Sequence, residues 1–274
     1  MITEMLAARD VIDIGPWGLA ISALLVLVCG AISVLLRLGL EKRLAIASLR
    51  TVVQLFLVGF ILRYVFNLDT WWAVLGVMCV MIVLAARAAV QRPSRTFAGA
   101  GLTALLSLVV SATLVTFTVT AAIIGVVPWY KPQYVIPLLG MILGNGLTGI
   151  SLCLNQLLET LDQRRSQVEM QLACGATRWE AARGPLSDAV RRGMIPIINS
   201  MMVVGTVSLP GMMTGQILAG SDPLVAVKYQ IMVMFMIAAG TALASMGMAL
   251  LVYRRMFNTR HQLRWQLIHR KNKD

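Results

Sequence analysis

Apolar residues run in long blocks along this chain, separated by short intervals that are mostly basic. Blocks at 17–36, 71–90, 101–127, 134–154, 193–218 and 228–253 are each long enough, at about 1.5 Å per helical residue, to cross a hydrocarbon layer of about 30 Å. One more helix enters from 37–50, where Leu44, Ile46, Ala47 and Leu49 alternate with polar residues, and crosses at about 51–66. The pattern predicts an all-α, polytopic membrane protein with about seven transmembrane helices. The fourth block is rich in Ser, Thr and Gly, which let helices approach closely in a bilayer. The fifth carries Pro137, Gly140, Gly144, Asn145, Gly146 and Gly149, and the sixth is interrupted around Ser208, Pro210 and Gly211. Irregular backbone survives at membrane depth only where it packs on protein or lines a cavity.

The longest polar interval is 156–192. Leu157, Leu158, Leu161, Val168 and Leu172 recur there at helical spacing among Glu, Gln, Asp and Arg, predicting one helix with a single apolar face. Gly175 fits the left-handed residue that ends such a helix, and Thr177 with Glu180 three positions on forms a capping box for a second one. Gly184 and Pro185 are expected to stop that second helix early, leaving a helix, a tight turn and a short helix. On pattern alone the interval is either a solvated link between spans or a projection built for a partner to grip.

Composition agrees with the membrane reading: 58% of residues are hydrophobic and 13% charged, with a mean hydropathy of +0.78. The net charge of +12 lies between spans rather than on one folded face, so it reports topology and not nucleic acid. Of 24 Lys and Arg, only Arg9, Arg63, Lys131 and Lys228 fall on one side in this threading. The positive-inside rule then puts the N-terminus outside and the tail, 254–274, in the cytoplasm. The start, with Glu4, Asp10 and Asp13 against Arg9, is the opposite of a signal peptide's and is expected to stay in the mature protein. No linker divides the chain, so 1–274 reads as a single transmembrane domain. Cys29, Cys79, Cys153 and Cys174 have no paired spacing and read as free thiols.

The hairpin residues Glu169, Leu172, Ala173, Gly175, Ala176 and Thr177 spell E-x-x-L-A-x-G-A-T, which resembles the coupling loop of ABC-transporter permeases; Leu186-Ser187, with Pro185 before it, stands where that loop has Leu-Pro. The stretches 137–145, 207–223 and 228–235 are similar to the bacterial iron-export ABC permease family, which includes plant aluminium-resistance permeases. That resemblance, over nearly the whole chain, implies a permease subunit of an inner-membrane transporter that moves iron outward. It implies a cytoplasmic coupling hairpin at about 156–192, with Glu169, Leu172, Ala173, Gly175, Ala176, Thr177 and Glu180 meeting a separate ATPase, and pairing with a second copy of the chain. Independently, the chain lacks G-x-x-x-x-G-K-[ST], so it binds no ATP by a P-loop and energy must come from a partner.

Candidates for a cargo path are Asn145, Ser208, Pro210, Met212, Met213, Gln216 and Asp222, with carbonyls freed around Pro210 and Gly211 as oxygen ligands for a hard cation. Met201, Met202, Met212, Met213, Met232, Met234 and Met236 are either soft-metal ligands or flexible core filler. The metal ligands are therefore unknown and no bound cofactor is expected. Intramembrane proteolysis is excluded by inventory, since His261 and His269 lie in the tail and no span has a central Asp or Glu. The competing reading is an ion- or proton-coupled secondary transporter, which ordinarily needs buried acidic groups and an internal repeat.

Overall fold

The computed structural model describes residues 15–68 and 70–270. The acidic start, Asp69 and the last lysines, Lys271 and Lys273, lie outside the described residues. Nine α-helices follow in order among them: α1 Pro16–Leu35, α2 Glu41–Leu68, α3 Trp71–Gln91, α4 Ala100–Phe117, α5 Pro132–Gln163, α6 Arg165–Ala173, α7 Arg178–Val203, α8 Gly211–Leu218 and α9 Pro223–Met256. Two short strands, β1 Arg95–Thr96 and β2 His269–Arg270, pair antiparallel. Six of the helices are long and apolar enough to cross a membrane: α1, α2, α3, α4 with its extension, α5 and α9. The sixth block of the sequence is instead divided, into the end of α7, a break at 204–210, and α8. The chain is a multi-pass α-helical membrane protein.

The helices fall into two compact units. One holds α1, α2 and residues Gly215–Asp222. Its turn between α1 and α2 is closed by Ser33, whose hydroxyl donates to Glu41 Oε2 (3.2 Å) and accepts from Leu40 N–H (3.1 Å). Glu41 sits in the first turn of α2, where the helix dipole favours a carboxylate. The exposed side chains of α1 are almost wholly apolar, whereas α2 also exposes Lys42, Arg43, Arg50 and Gln54, and a groove of about 1250 Å³ runs between the two helices from Glu41 to Arg63.

The other unit is built around α5. Its stripe Val135, Leu139, Ile142, Gly146, Gly149, Cys153, Leu157 and Leu161 is buried, and it packs on α3, α4, α7 and α9. Glycines of this helix allow close helix crossing. A Cβ built on Gly149 would stand 2.7 Å from Thr241 Cγ2 and 2.8 Å from Ser245 Oγ; one on Gly193 of α7 would stand 2.8 Å from the Gly149 carbonyl oxygen. Three backbones thus meet at Gly149, Gly193 and Ser245. Gly144, on another face of α5, has open space. The fourth span is α4 continued by a π-helical turn, Thr118–Ile123.

Two expectations are corrected. The helix predicted from Leu157 to Leu172 is kinked into two at Arg164 (φ −99°, ψ 23°). No Pro or Gly stands there; the kink falls between Asp162 and Arg165, which are held by contacts distant in sequence. Nor do Gly184 and Pro185 end the second helix of the hairpin, because α7 continues through Pro185 and Pro196 to Val203. An interior proline costs about 3 kcal/mol. Burial of Ala182, Pro185, Leu186, Ala189, Gly193 and Ile197 along one face outweighs it.

Candidate functional site

The hairpin forms at the polar end of the second unit. Helix α6 ends in a Schellman arrangement: Gly175 takes φ +94°, its N–H reaches the Leu172 carbonyl (3.1 Å), and Ala176 N–H reaches the Gln171 carbonyl (3.0 Å). The capping box then starts α7. Glu180 N–H donates to Thr177 Oγ1 (3.3 Å), while Glu180 Oε2 accepts from the Thr177 N–H (2.7 Å) and hydroxyl (2.8 Å). Those two donors hold the Glu180 carboxyl below its ordinary range. The folded value is depressed, so the box is complete above the usual carboxylate pKa and is lost only as pH falls through the lower folded one.

Of the seven coupling residues named from the sequence, Leu172, Ala176 and Glu169 are half-buried, and Ala173, Gly175, Thr177 and Glu180 are exposed. Glu169 is paired within its own helix: Arg165 Nε stands 2.9 Å from its Oε1, one helical turn away. At this exposure such a pair contributes about 0.5 kcal/mol or less. Met170 and Trp179 add exposed apolar surface beside the turn. Small residues at the tip, flanked by two large apolar side chains, leave a narrow wedge.

A second polar cluster went unread in the sequence. The loop after α3 is stapled along α5: Arg92 Nη1 donates to Thr148 Oγ1 (3.3 Å), Ser94 N–H and hydroxyl donate to Asn155 Oδ1 (3.0 and 2.9 Å), and Arg95 pairs with Asp162 (2.8 Å) and Glu159 (3.5 Å). Arg95 is buried, with its Nε unpartnered. The signal was present: positions 148, 155, 159 and 162 repeat at intervals that keep one helical face, where an apolar stripe would otherwise continue.

The cargo-path candidates are more scattered. The Asn145 amide donates to the Met141 carbonyl on its own helix (3.0 Å). Ser208 is exposed in the break after α7, where its carbonyl accepts from Gly205 N–H (2.9 Å) at φ +83°. The Pro210 carbonyl, expected to be free, accepts from Thr214 N–H and hydroxyl (3.0 and 3.1 Å). Met212 and Met213 are half-buried, Asp222 immediately precedes α9, and Gln216 Oε1 is buried without a hydrogen-bond partner. Met234 and Met236 are core residues, and Met232 and Met236 line a groove of about 620 Å³ between α4, its π turn and α9. Among the described residues, no group of three or more His, Cys, Asp or Glu is placed to hold a metal. The four cysteines are free thiols.

Replacing Asn145 or Gln216 by Leu is expected to leave assembly intact, since the Asn145 amide bonds only within its own helix and the Gln216 oxygen is buried without a partner. Transport should nevertheless fall several-fold if these groups line the path; unchanged transport in both variants would make them packing elements.

Many apolar spans and one capped helical hairpin define a multi-pass α-helical membrane protein. The chain belongs to the uncharacterised protein family UPF0014, whose profile matches residues 16–257. It is 42% identical over 226 residues to the UPF0014 membrane protein slr1647 of Synechocystis, covering 82% of this chain and 87% of that one. It is 36% identical over 245 residues to the probable iron export permease protein FetB of Escherichia coli (89% and 93% covered), and 30% identical over 245 residues to protein ALUMINUM SENSITIVE 3 of Arabidopsis thaliana (89% and 88%). The family expectation drawn from 137–145 and 207–235 is met by these relatives. No solved structure matches the chain.

Proposed function

We propose that this chain is the membrane-spanning subunit of an ABC transporter that exports iron, or another metal ion, using ATP hydrolysed by a separate ATPase. The observation that carries the reading is the hairpin tip: an exposed turn of small residues at Gly175, ended and restarted by two complete caps, in the sequence context of a coupling loop. The name of the Escherichia coli relative, a probable iron export permease, supports the cargo and its direction. In this reading the hairpin and tail face the cytoplasm, the N-terminus faces outward, and two copies of the chain enclose the path with Asn145, Ser208, Pro210, Met212, Met213, Gln216 and Asp222. The chain itself binds no ATP and holds no resident cofactor.

The test is reconstitution of the purified chain in liposomes with the ATPase that co-purifies from its own membranes. Ferrous iron is expected to stimulate ATP hydrolysis several-fold, and flux should require both subunits. Iron movement driven by an ion or proton gradient, without any ATPase, would overturn the proposal in favour of a secondary transporter.

A further inference from the structure

The basic tail after α9 is not a solvated charge run. It turns back at once: Phe257 and Leu263 are buried and bridge each other. Asn258 Oδ1 accepts from the N–H groups of Arg260 (3.0 Å) and Gln262 (2.8 Å), and Arg264 N–H donates to the Met256 carbonyl (2.7 Å). A 3-10 turn, Trp265–Leu267, follows, and β2 then pairs with β1. The family profile ends at 257, so nearly all of this fold-back lies beyond the matched region.

Its contacts converge on the hairpin. The first N–H groups of a helix have no partner within it. The capping box serves Thr177 and Glu180 but leaves Arg178, the first residue of α7; that N–H donates to His261 Nδ1 at 2.9 Å. His261 takes φ +55° in doing so, a conformation that non-glycine residues adopt only when the surroundings hold them there. On the other helix, the Arg165 guanidinium lies 3.8 Å from the centre of the Trp265 ring while its Nε pairs with Glu169. Trp179 stands edge-on to Tyr253 at 5.6 Å, and Arg178 lies over the same ring at 5.8 Å. At the far end of the tail Arg270 Nη2 is 3.8 Å from Asp162, the partner of Arg95. The tail therefore touches α6, α7 and the stapled loop after α3.

We infer that segment 257–270 is a positioning clamp for the hairpin, with His261 completing the cap of α7 and Trp265 holding α6 through Arg165. The inference rests on the coupling reading given under Proposed function. The clamp fixes the angle between α6 and α7, so it acts on a docked ATPase through the hairpin and not by touching the membrane path.

The test uses the full-length chain in lipid nanodiscs, first alone and then with its ATPase. Hydrogen exchange is followed over 165–182. His261→Ala is expected to speed exchange at the Arg178 amide about fivefold, in keeping with the loss of one net hydrogen bond. His261→Asn should retain protection, because Asn Oδ1 takes the place of Nδ1 and Asn tolerates the left-handed conformation; His261→Gln, whose oxygen sits one bond further out, should not. Trp265→Ala should loosen α6, and Trp265→Phe should restore it in part. Iron-stimulated ATP hydrolysis should follow the same order across the variants. Unchanged exchange in both alanine variants overturns the clamp whatever the hairpin does. Faster exchange with undiminished hydrolysis, in a system where Gly175→Glu abolishes it, overturns the positioning role and leaves the coupling reading standing. If Gly175→Glu is also fully active, both fall together.

Discussion

Substituting Gly175 by glutamate is expected to abolish ATP-coupled transport while the protein stays in the membrane at wild-type levels. Gly175 holds φ +94°, where a β-carbon costs about 1–2 kcal/mol, and the Schellman bonds to Leu172 and Gln171 depend on that conformation. A Cβ there meets nothing within 4 Å, so the chain's own packing is untouched and the spans assemble normally. The damage is confined to the turn and to whatever receives it. A carboxylate also sits badly at the negative end of the α6 dipole, an effect of about 0.3–1 kcal/mol. The series Gly175→Asn, Gly175→Ala, Gly175→Glu separates the causes: Asn tolerates the backbone, Ala adds strain, and Glu adds bulk and charge at the tip. Activity should fall in that order, measured as co-purification of the ATPase and transport at matched membrane levels. Full association and transport in Gly175→Glu would mean that the turn is not the coupling element, and the loop at 91–95 would take its place as candidate.

The second large effect is on stability, and it has opposite signs at two glycines. Gly193→Ala places a methyl 2.8 Å from the Gly149 carbonyl oxygen, 2.9 Å from Ser245 Oγ and 3.2 Å from Cys153 Cβ. The nearest obstacle is backbone on a packed helix, so α7 must move off α5; overpacking of this kind costs about 1–3 kcal/mol. Gly144→Ala meets nothing, and replacing a helical glycine by alanine contributes about 0.5–1 kcal/mol. Thermal unfolding in detergent is expected to show Gly193→Ala melting below the wild type and Gly144→Ala at or above it. Equal melting of the two variants would show that the helices do not approach as closely at Gly193 as this crossing requires.

What was legible in the sequence is what is set locally. The apolar runs of α1, α3, α5 and α9, the glycine turn at 175, the capping box at 177–180 and the break around Pro210 all depend on neighbours within a few residues, and each stands where the pattern put it. The boundaries that moved were decided at a distance. Helix α5 runs on to Gln163, past the apolar block that ended at 154, because Leu157, Leu158 and Leu161 stay buried while Asn155, Glu159 and Asp162 find partners on another loop. Pro185 reads as a stop only if the energy of one helix is counted, and its burial against neighbouring helices reverses the outcome. The candidate coupling residues were identifiable by motif. His261 and Trp265 were not, since nothing in a basic tail foretells which helix end it will return to.

The two prolines of α7 are 185 and 196, about three helical turns apart and so within about 20° of the same side of the helix. Each withholds the N–H that the carbonyl four residues earlier would receive, at Ala181 and at Arg192. Two soft points on one side do not cancel: they give the helix a preferred bending plane, stiff in one direction and compliant in the other. One end of this beam is gripped at Thr177 and Arg178, and the beam passes through the tight crossing at Gly193 before it reaches the break at Val204. A sideways load on the hairpin would therefore be resolved into a flexure of fixed direction, with Gly193 as fulcrum and the broken segment before α8 as the free end.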